Sequence, residues 1–152
     1  MENIKKFDKD LYNENNSLAI ILALNYLLST GFYYYKENPL EQPETFKKFD
    51  FKLFLKKSNK MVTIEVERKK TWEKDYKWEG YKTLDIPYRK SESKADIFIM
   101  TNNNMNTLAV MKMKDVLESD VYKKDTIYTK NEQFFAVELE KVKFIKNQWV
   151  QI

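Results

Sequence analysis

Hydrophobic and polar positions alternate along residues 46–70, FKKFDFKLFLKKSNKMVTIEVERKK, and this alternation predicts two strands around a short polar turn. In the first strand Phe49, Phe51, Leu53 and Leu55 point one way, leaving Lys48, Asp50 and Lys52 on the other side. In the second, Val62, Ile64 and Val66 share the apolar face, while Thr63, Glu65, Glu67 and Lys69 share the polar one. A two-residue turn at Ser58 and Asn59 pairs Lys57 with Lys60 and, counted back, sets Asp50 opposite Glu67.

Elsewhere the periodicity changes. Asp8 or Asp10 can cap a helix that runs to about Thr30, with Leu11, Leu18, Ile21, Leu22, Leu24 and Leu28 at helical spacing and Gly31 at its end. Its second half is apolar nearly all round, so it is expected to pack on the apolar side of the hairpin. Glu14 falls on the inward stripe of that helix, either as a first-turn acid favoured by the dipole or as a fourth acid reaching the hairpin.

The stretch from Glu37 to Thr45, with Pro39 and Pro43, reads as a loop. TWEKDYKWEGY after Lys70 reads either as aromatics covering a core edge or as a stacking platform of aromatics among lysines. Strands are expected at Lys82 to Tyr88, Ala95 to Thr101 and Thr107 to Met113. A helical turn at Lys114 to Ser119 and a polar loop from Asp120 to Gln133 follow, and Phe134 to Leu139 and Val142 to Ile145 close the chain as short strands. This order predicts one α+β domain over residues 1–152, with a central mixed β-sheet and flanking helices.

The chain of 152 residues contains no cysteine and no histidine. That removes disulfides, thiolate nucleophiles, His-based triads and Cys or His zinc sites, and leaves carboxylates, lysine, tyrosine and hard metal ions for any hydrolytic chemistry. Absence of cysteine also suits a cytoplasmic setting. The formal charge is +4, and only two of the 27 basic residues are arginines, Arg68 and Arg89. A polyanionic partner fits that sign, and guanidinium offers phosphate a planar fork. The most apolar run, Leu18 to Leu28, is about half the roughly 20 residues a membrane span needs, so no membrane association is expected.

Acids and a lysine converging on one sheet face have a chemical use. Opposed residues have Cβ atoms roughly 4.5–5.5 Å apart, and their charges repel unless a cation compensates them. Mg2+ or Mn2+ held by Asp50, Glu65 and Glu67, with Glu14 as a further ligand, could activate water against a phosphodiester, and Lys69 could orient that water or stabilise developing charge.

In these residues the chain resembles the PD-(D/E)XK nuclease superfamily, whose core is restriction-endonuclease-like. The family combines a helix, a hairpin and a mixed sheet, with an aspartate on the first hairpin strand and Glu-x-Lys or Glu-x-Glu on the second. Asp50 matches the aspartate, and Glu65-Val66-Glu67-Arg68-Lys69 contains both versions of the second element. The preceding Val62-Thr63-Ile64 favours Glu65-x-Glu67, whereas the hairpin count favours Glu67-x-Lys69. The family's proline is replaced by Phe49.

KTLDIPYRK and the strands after it are similar to small, often virus-encoded nuclease-like proteins, which would place the protein in a host cytoplasm. The resemblance implies a Mg2+-dependent deoxyribonuclease with Asp50, Glu65, Glu67 and Lys69 as catalytic residues. Arg68, Lys70, Trp72, Trp78, Arg89 and Lys90 would contact DNA, and a homodimer would serve where both strands of a duplex are cut. The alternative is a noncatalytic nucleic-acid-binding or protein-interaction domain that retains the fold.

Overall fold

The computed structural model describes residues 18–39, 49–73, 82–126 and 130–146. Glu14 and Trp78 lie outside them. Helix α1 covers 18–29, within the expected helix, and Gly31 follows it at φ 82°. Among the described residues nine strands follow: β1 (Tyr33–Tyr34), β2 (Phe51–Leu55), β3 (Met61–Arg68), β4 (Thr83–Pro87), β5 (Ile97–Thr101), β6 (Thr107–Lys112), β7 (Asp120–Lys124), β8 (Glu132–Glu138) and β9 (Lys143–Lys146). A short helix α2 (Met113–Leu117) lies between β6 and β7, and a 3-10 segment (Tyr88–Glu92) follows β4.

The strands divide into two sheets. The larger has the order β1-β2-β3-β5-β6-β9, and the smaller β4-β8-β7. Among the described residues every pairing is antiparallel except β3 with β5. The molecule is therefore α+β with a mixed sheet.

Alternation assigns the faces of the large sheet. Phe51, Leu53, Val62, Ile64, Val66, Ile99 and Leu108 bury one face against Ala19, Ala23, Leu24 and Leu27 of α1. Phe98, Met100, Ala109 and Met111 bury the other face against Leu84, Ile86, Phe135 and Val137 of the small sheet. The expectation of helices flanking a central sheet thus holds on one face, whereas strands cover the other. Strand β4, with apolar positions at 84 and 86, satisfies the same pattern in a second sheet as in an extension of the first.

The parallel pair β3–β5 requires a crossover, usually a helix. Here β4 and the 3-10 segment are part of it, which carries Arg89, Lys90 and Ser93 back over the polar positions of β3. That route builds the site.

Two features of the hairpin differ from expectation. Leu55 N donates to Lys60 O at 2.9 Å, so the loop has four residues, 56–59, with Asn59 left-handed at φ 62°. The register is Phe51 with Ile64 and Leu53 with Val62, two residues away from the expected one. An even slip preserves every face, because side chains alternate with period two. It does change the partner: the pairing ends at Phe51–Ile64, so Asp50 no longer stands opposite Glu67.

The second difference is at Phe49. It packs against the cluster between the two sheets while Phe51 belongs to the cluster that includes α1, although both were expected on one face. Asp50 N donates to Ile64 O at 2.8 Å, and Phe51 is itself paired with Ile64. Two residues facing one is a bulge, which reverses the alternation at that point.

The segment expected as a polar loop from Asp120 to Gln133 begins with β7, an edge strand with exposed residues at 120, 121, 123 and 124. Without a buried face its sequence lacks the apolar alternation that marks strands.

Candidate functional site

Strand β3 outruns its neighbour. Pairing with β2 ends at Ile64, so the amide of Val66 points toward a side that β2 has vacated. The bulge at Asp50 turns its carboxylate there, and Val66 N donates to Asp50 Oδ2 at 2.6 Å. Burial above all, aided by the charges of Glu65 and Glu67, raises the Asp50 carboxyl from 3.8 to about 6 against the Val66 amide and Lys90, which hold it down. Asp50 therefore lies within the electrostatic reach of both glutamates.

Glu65 and Glu67 alternate along β3 on the face turned to the small sheet, and each meets a basic side chain of the 3-10 segment. The ammonium of Lys90 pairs with Glu65 Oε2, and Ser93 Oγ donates to Glu65 Oε1 at 2.8 Å. Arg89 donates to Glu67 Oε1 at 2.8 Å. The remaining oxygen, Glu67 Oε2, is buried without a hydrogen-bond partner among the described residues. A buried acceptor left open is unusual and marks a place where a donor or a cation would be stabilised.

Lys69 lies at the exit of β3, its amide donating to Thr101 O at 2.8 Å. Burial lowers its pKa, Lys124 and Arg89 push the same way, and Glu67 and Asp85 oppose them. These neighbours place Lys69 on the inner side with Glu67. The two overlapping motifs, Glu65-x-Glu67 and Glu67-x-Lys69, thus occupy one face together.

The small sheet contributes residues that the sequence pattern did not single out. Asp85 on β4 accepts from Lys124 on β7 at 2.9 Å. Burial pulls Lys124 down, but its hydrogen bond and charge interaction with Asp85, joined by Tyr122, raise it overall. The Tyr122 hydroxyl is raised by burial and by Asp85. Asp85 was legible only as an acid inside an apolar strand, buried at 8% exposure. Its pairing with Lys124, 39 residues later, has no local signature.

Several residues expected at a nucleic-acid surface are engaged elsewhere. Trp72 is 1% exposed and meets Phe144 edge-on at 5.9 Å, so its ring is a core element and no stacking platform for a base. Arg68 donates through Nε to Asn103 O at 2.9 Å and through a terminal nitrogen to Asn103 Oδ1 at 3.0 Å, bracing the β5–β6 turn. Lys70 is exposed, and the Arg89 side chain is 61% exposed despite its ion pair.

As they stand, no three acidic side chains among the described residues form a ready cation cage. Glu65 and Glu67 are turned to Lys90 and Arg89 instead. The site is thus a cluster of three acids of the large sheet, in which Glu65 and Glu67 are paired with Lys90 and Arg89 of the crossover and Asp50 accepts from the Val66 amide. The chain matches no family model, no curated protein and no solved structure. No helix of the described residues is long and apolar enough to cross a membrane.

Proposed function

We propose that the protein is a metal-dependent nuclease that hydrolyses DNA phosphodiester bonds, with Asp50, Glu65 and Glu67 as ligands of Mg2+ or Mn2+ and Lys69 as the catalytic lysine. The observation that supports it best is the position of Glu67, which lies within electrostatic reach of Asp50 and of Lys69 and whose Oε2 is buried without a hydrogen-bond partner among the described residues. Hard carboxylate oxygens on adjacent strand positions fit a hard divalent cation. A bound cation supplies charge neutralisation and an acidified water.

The chain's own residues would do the rest. Asp50 is oriented by the Val66 amide. Lys69, with its pKa lowered by burial, is suited to exchange or share a proton with the attacking water. Arg89 and Lys70 are exposed and cationic, and would bind the phosphates on either side of the scissile bond.

The test is incubation with single-stranded, double-stranded and branched DNA and with RNA, in Mg2+ or Mn2+. Wild type is expected to cut DNA, and Asp50→Asn and Glu67→Gln are expected to lose cleavage by at least about a hundredfold, the scale of removing one electrostatic element of such a site. Full cleavage by both variants would refute the assignment.

One observation favours a second reading, a noncatalytic nucleic-acid-binding or interaction domain. Lys90 and Arg89 already neutralise Glu65 and Glu67, so the carboxylates are paired without a metal. Binding of DNA with neither cleavage nor metal-dependent stabilisation would select it.

A further inference from the structure

Helix α1 covers only part of its face of the large sheet. Val66, Ile99 and Leu108 are buried on that face, whereas Ile97 and Val110, which share it, are only partly covered. There, at the carboxyl end of α1, lies an open groove of about 310 Å3 lined by Ile97 and Val110. Glu65 and Glu67 alternate with Val66 and so belong to the opposite face of the sheet.

The two walls of the groove differ in chemistry. One comes from the last turn of α1 and from β1, and brings the rings of Tyr26, Phe32 and Tyr33 together beside Leu27. Phe32 is 68% exposed, so packing of the core does not account for its ring. Burial raises the Tyr33 hydroxyl and Tyr26 adds to the rise, so Tyr33 stays a neutral hydrogen-bond donor. The carboxyl end of a helix carries partial negative charge, which favours N–H donors at this wall.

The other wall is basic. Register sets Lys112 beside Ile97 and Lys143 beside Val110, and Lys141 joins them from the 3-10 turn (Leu139–Lys141) before β9. All three lysines are exposed, and none forms an ion pair among the described residues. Asp115 also lines the groove, so three lysines against one aspartate leave a net charge of +2. Like charges gathered at an apolar floor repel one another until an anion meets them.

We propose that this groove binds a free nucleoside monophosphate, with the base against Tyr26, Phe32 and Tyr33 and the phosphate at Lys112, Lys141 and Lys143. A base offers the aromatic wall a flat ring and offers the helix end N–H donors, which an alkyl chain lacks. A phosphate carries about two negative charges at neutral pH, the sign and size that the lysine wall asks for. The volume lies at the lower end of the roughly 300–1,000 Å3 of small-molecule sites, room for one nucleotide rather than a chain. The groove shares no residue with the carboxylate cluster, so the inference is independent of the nuclease reading.

The experiment titrates adenosine monophosphate into the full-length protein in EDTA by calorimetry, with amide chemical shifts recorded in parallel to place the ligand. The monophosphate is expected to bind at least about tenfold more tightly than adenosine, inorganic phosphate or decanoate, with shifts centred on Ile97, Val110 and Lys143. Lys112→Gln/Lys143→Gln is expected to lose about tenfold in affinity, and the difference from wild type to shrink as salt is added. Phe32→Ser removes a stacking ring at an exposed position and is expected to lose at least about fivefold. Lys82→Gln/Lys123→Gln, which removes the same charge beside the small sheet, is expected to bind as wild type does. Thermal unfolding verifies that each variant is folded.

Absence of monophosphate binding at millimolar concentration overturns the inference. Decanoate binding as tightly as the monophosphate overturns it too, as do unchanged affinity in Lys112→Gln/Lys143→Gln and an equal loss in Lys82→Gln/Lys123→Gln. Shifts centred on Glu67 and Arg89 would place the nucleotide on the other face of the sheet and overturn the groove as its site. DNA cleavage enters none of these outcomes, so the nuclease reading stands or falls separately.

Discussion

Asp50 carries the clearest energetic signature at the scale of single residues. Its carboxyl is raised from 3.8 to about 6, so the folded protein holds the proton more tightly than the unfolded chain does. The stability associated with it is fully present below 3.8 and is lost as pH rises through about 6. The difference corresponds to about 2–3 kcal/mol at neutral pH and above. Asp50→Asn keeps an oxygen for the Val66 amide and removes the buried charge. It is expected to raise Tm by roughly 5–10 °C at pH 8, from the usual size of the shift in a domain of this length, and to change it little near pH 3.5. Calorimetry across that pH range decides the matter; a destabilised variant at pH 8 would show that the carboxylate is compensated in solution. The alternation of hairpin positions was enough to assemble Asp50, Glu65, Glu67 and Lys69 as one candidate group. Ser93, Asp85, Tyr122 and Lys124 come from segments whose approach is decided by the crossover and by pairing of the small sheet. No local pattern announces them.

At the scale of elements, the hairpin was legible and its register was not. Both strands carry a period-two pattern that survives a two-residue slip, so hydrophobicity alone cannot distinguish a loop of two residues from one of four. The choice is made by Asn59, whose φ of 62° and amide bond to Leu55 O at 2.7 Å close the longer loop. Asparagine tolerates this left-handed conformation, and a Cβ-branched or alanine side chain does so less well. Asn59→Ala is expected to lower stability by about 1 kcal/mol and Asn59→Gly to leave it nearly unchanged, as read from urea unfolding. Equal stability of the two variants would argue against the left-handed loop and reopen the shorter turn, with Asp50 facing Glu67. The bulge at Asp50 was equally hidden, because Phe49 and Phe51 are both apolar and the pattern is blind to which layer each one enters. Reversal of the alternation there lets Phe49 join the inter-sheet core and brings the Asp50 carboxylate to the Val66 amide.

At the scale of the whole molecule, the division into two sheets determines what the aromatic residues do. Trp72 leaves β3 just beyond Lys69, with its amide donating to Lys69 O at 3.1 Å and its carbonyl accepting from Asn103 N at 2.7 Å. Its ring is thereby fixed in the core between the sheets, against Phe144. A tryptophan among lysines and glutamates has the composition of a stacking platform, and only the presence of the second sheet makes it a core residue. The consequence separates packing from binding. Trp72→Phe is expected to lower unfolding stability by about 1–3 kcal/mol, the usual range for shrinking a buried side chain. Under the proposed function, oligonucleotide affinity should stay at the wild-type value when measured at a temperature where both proteins are folded. Loss of affinity at unchanged stability would instead return the ring to the nucleic-acid surface. Because Trp72 follows Lys69 by three residues, loosening it should also be felt at the lysine: the burial that lowers the Lys69 pKa depends on the sheets remaining closed over it. Under the proposed nuclease function, a cleavage rate that falls in Trp72→Phe with unchanged oligonucleotide affinity would therefore place the tryptophan's role in holding the site shut, not in holding the substrate.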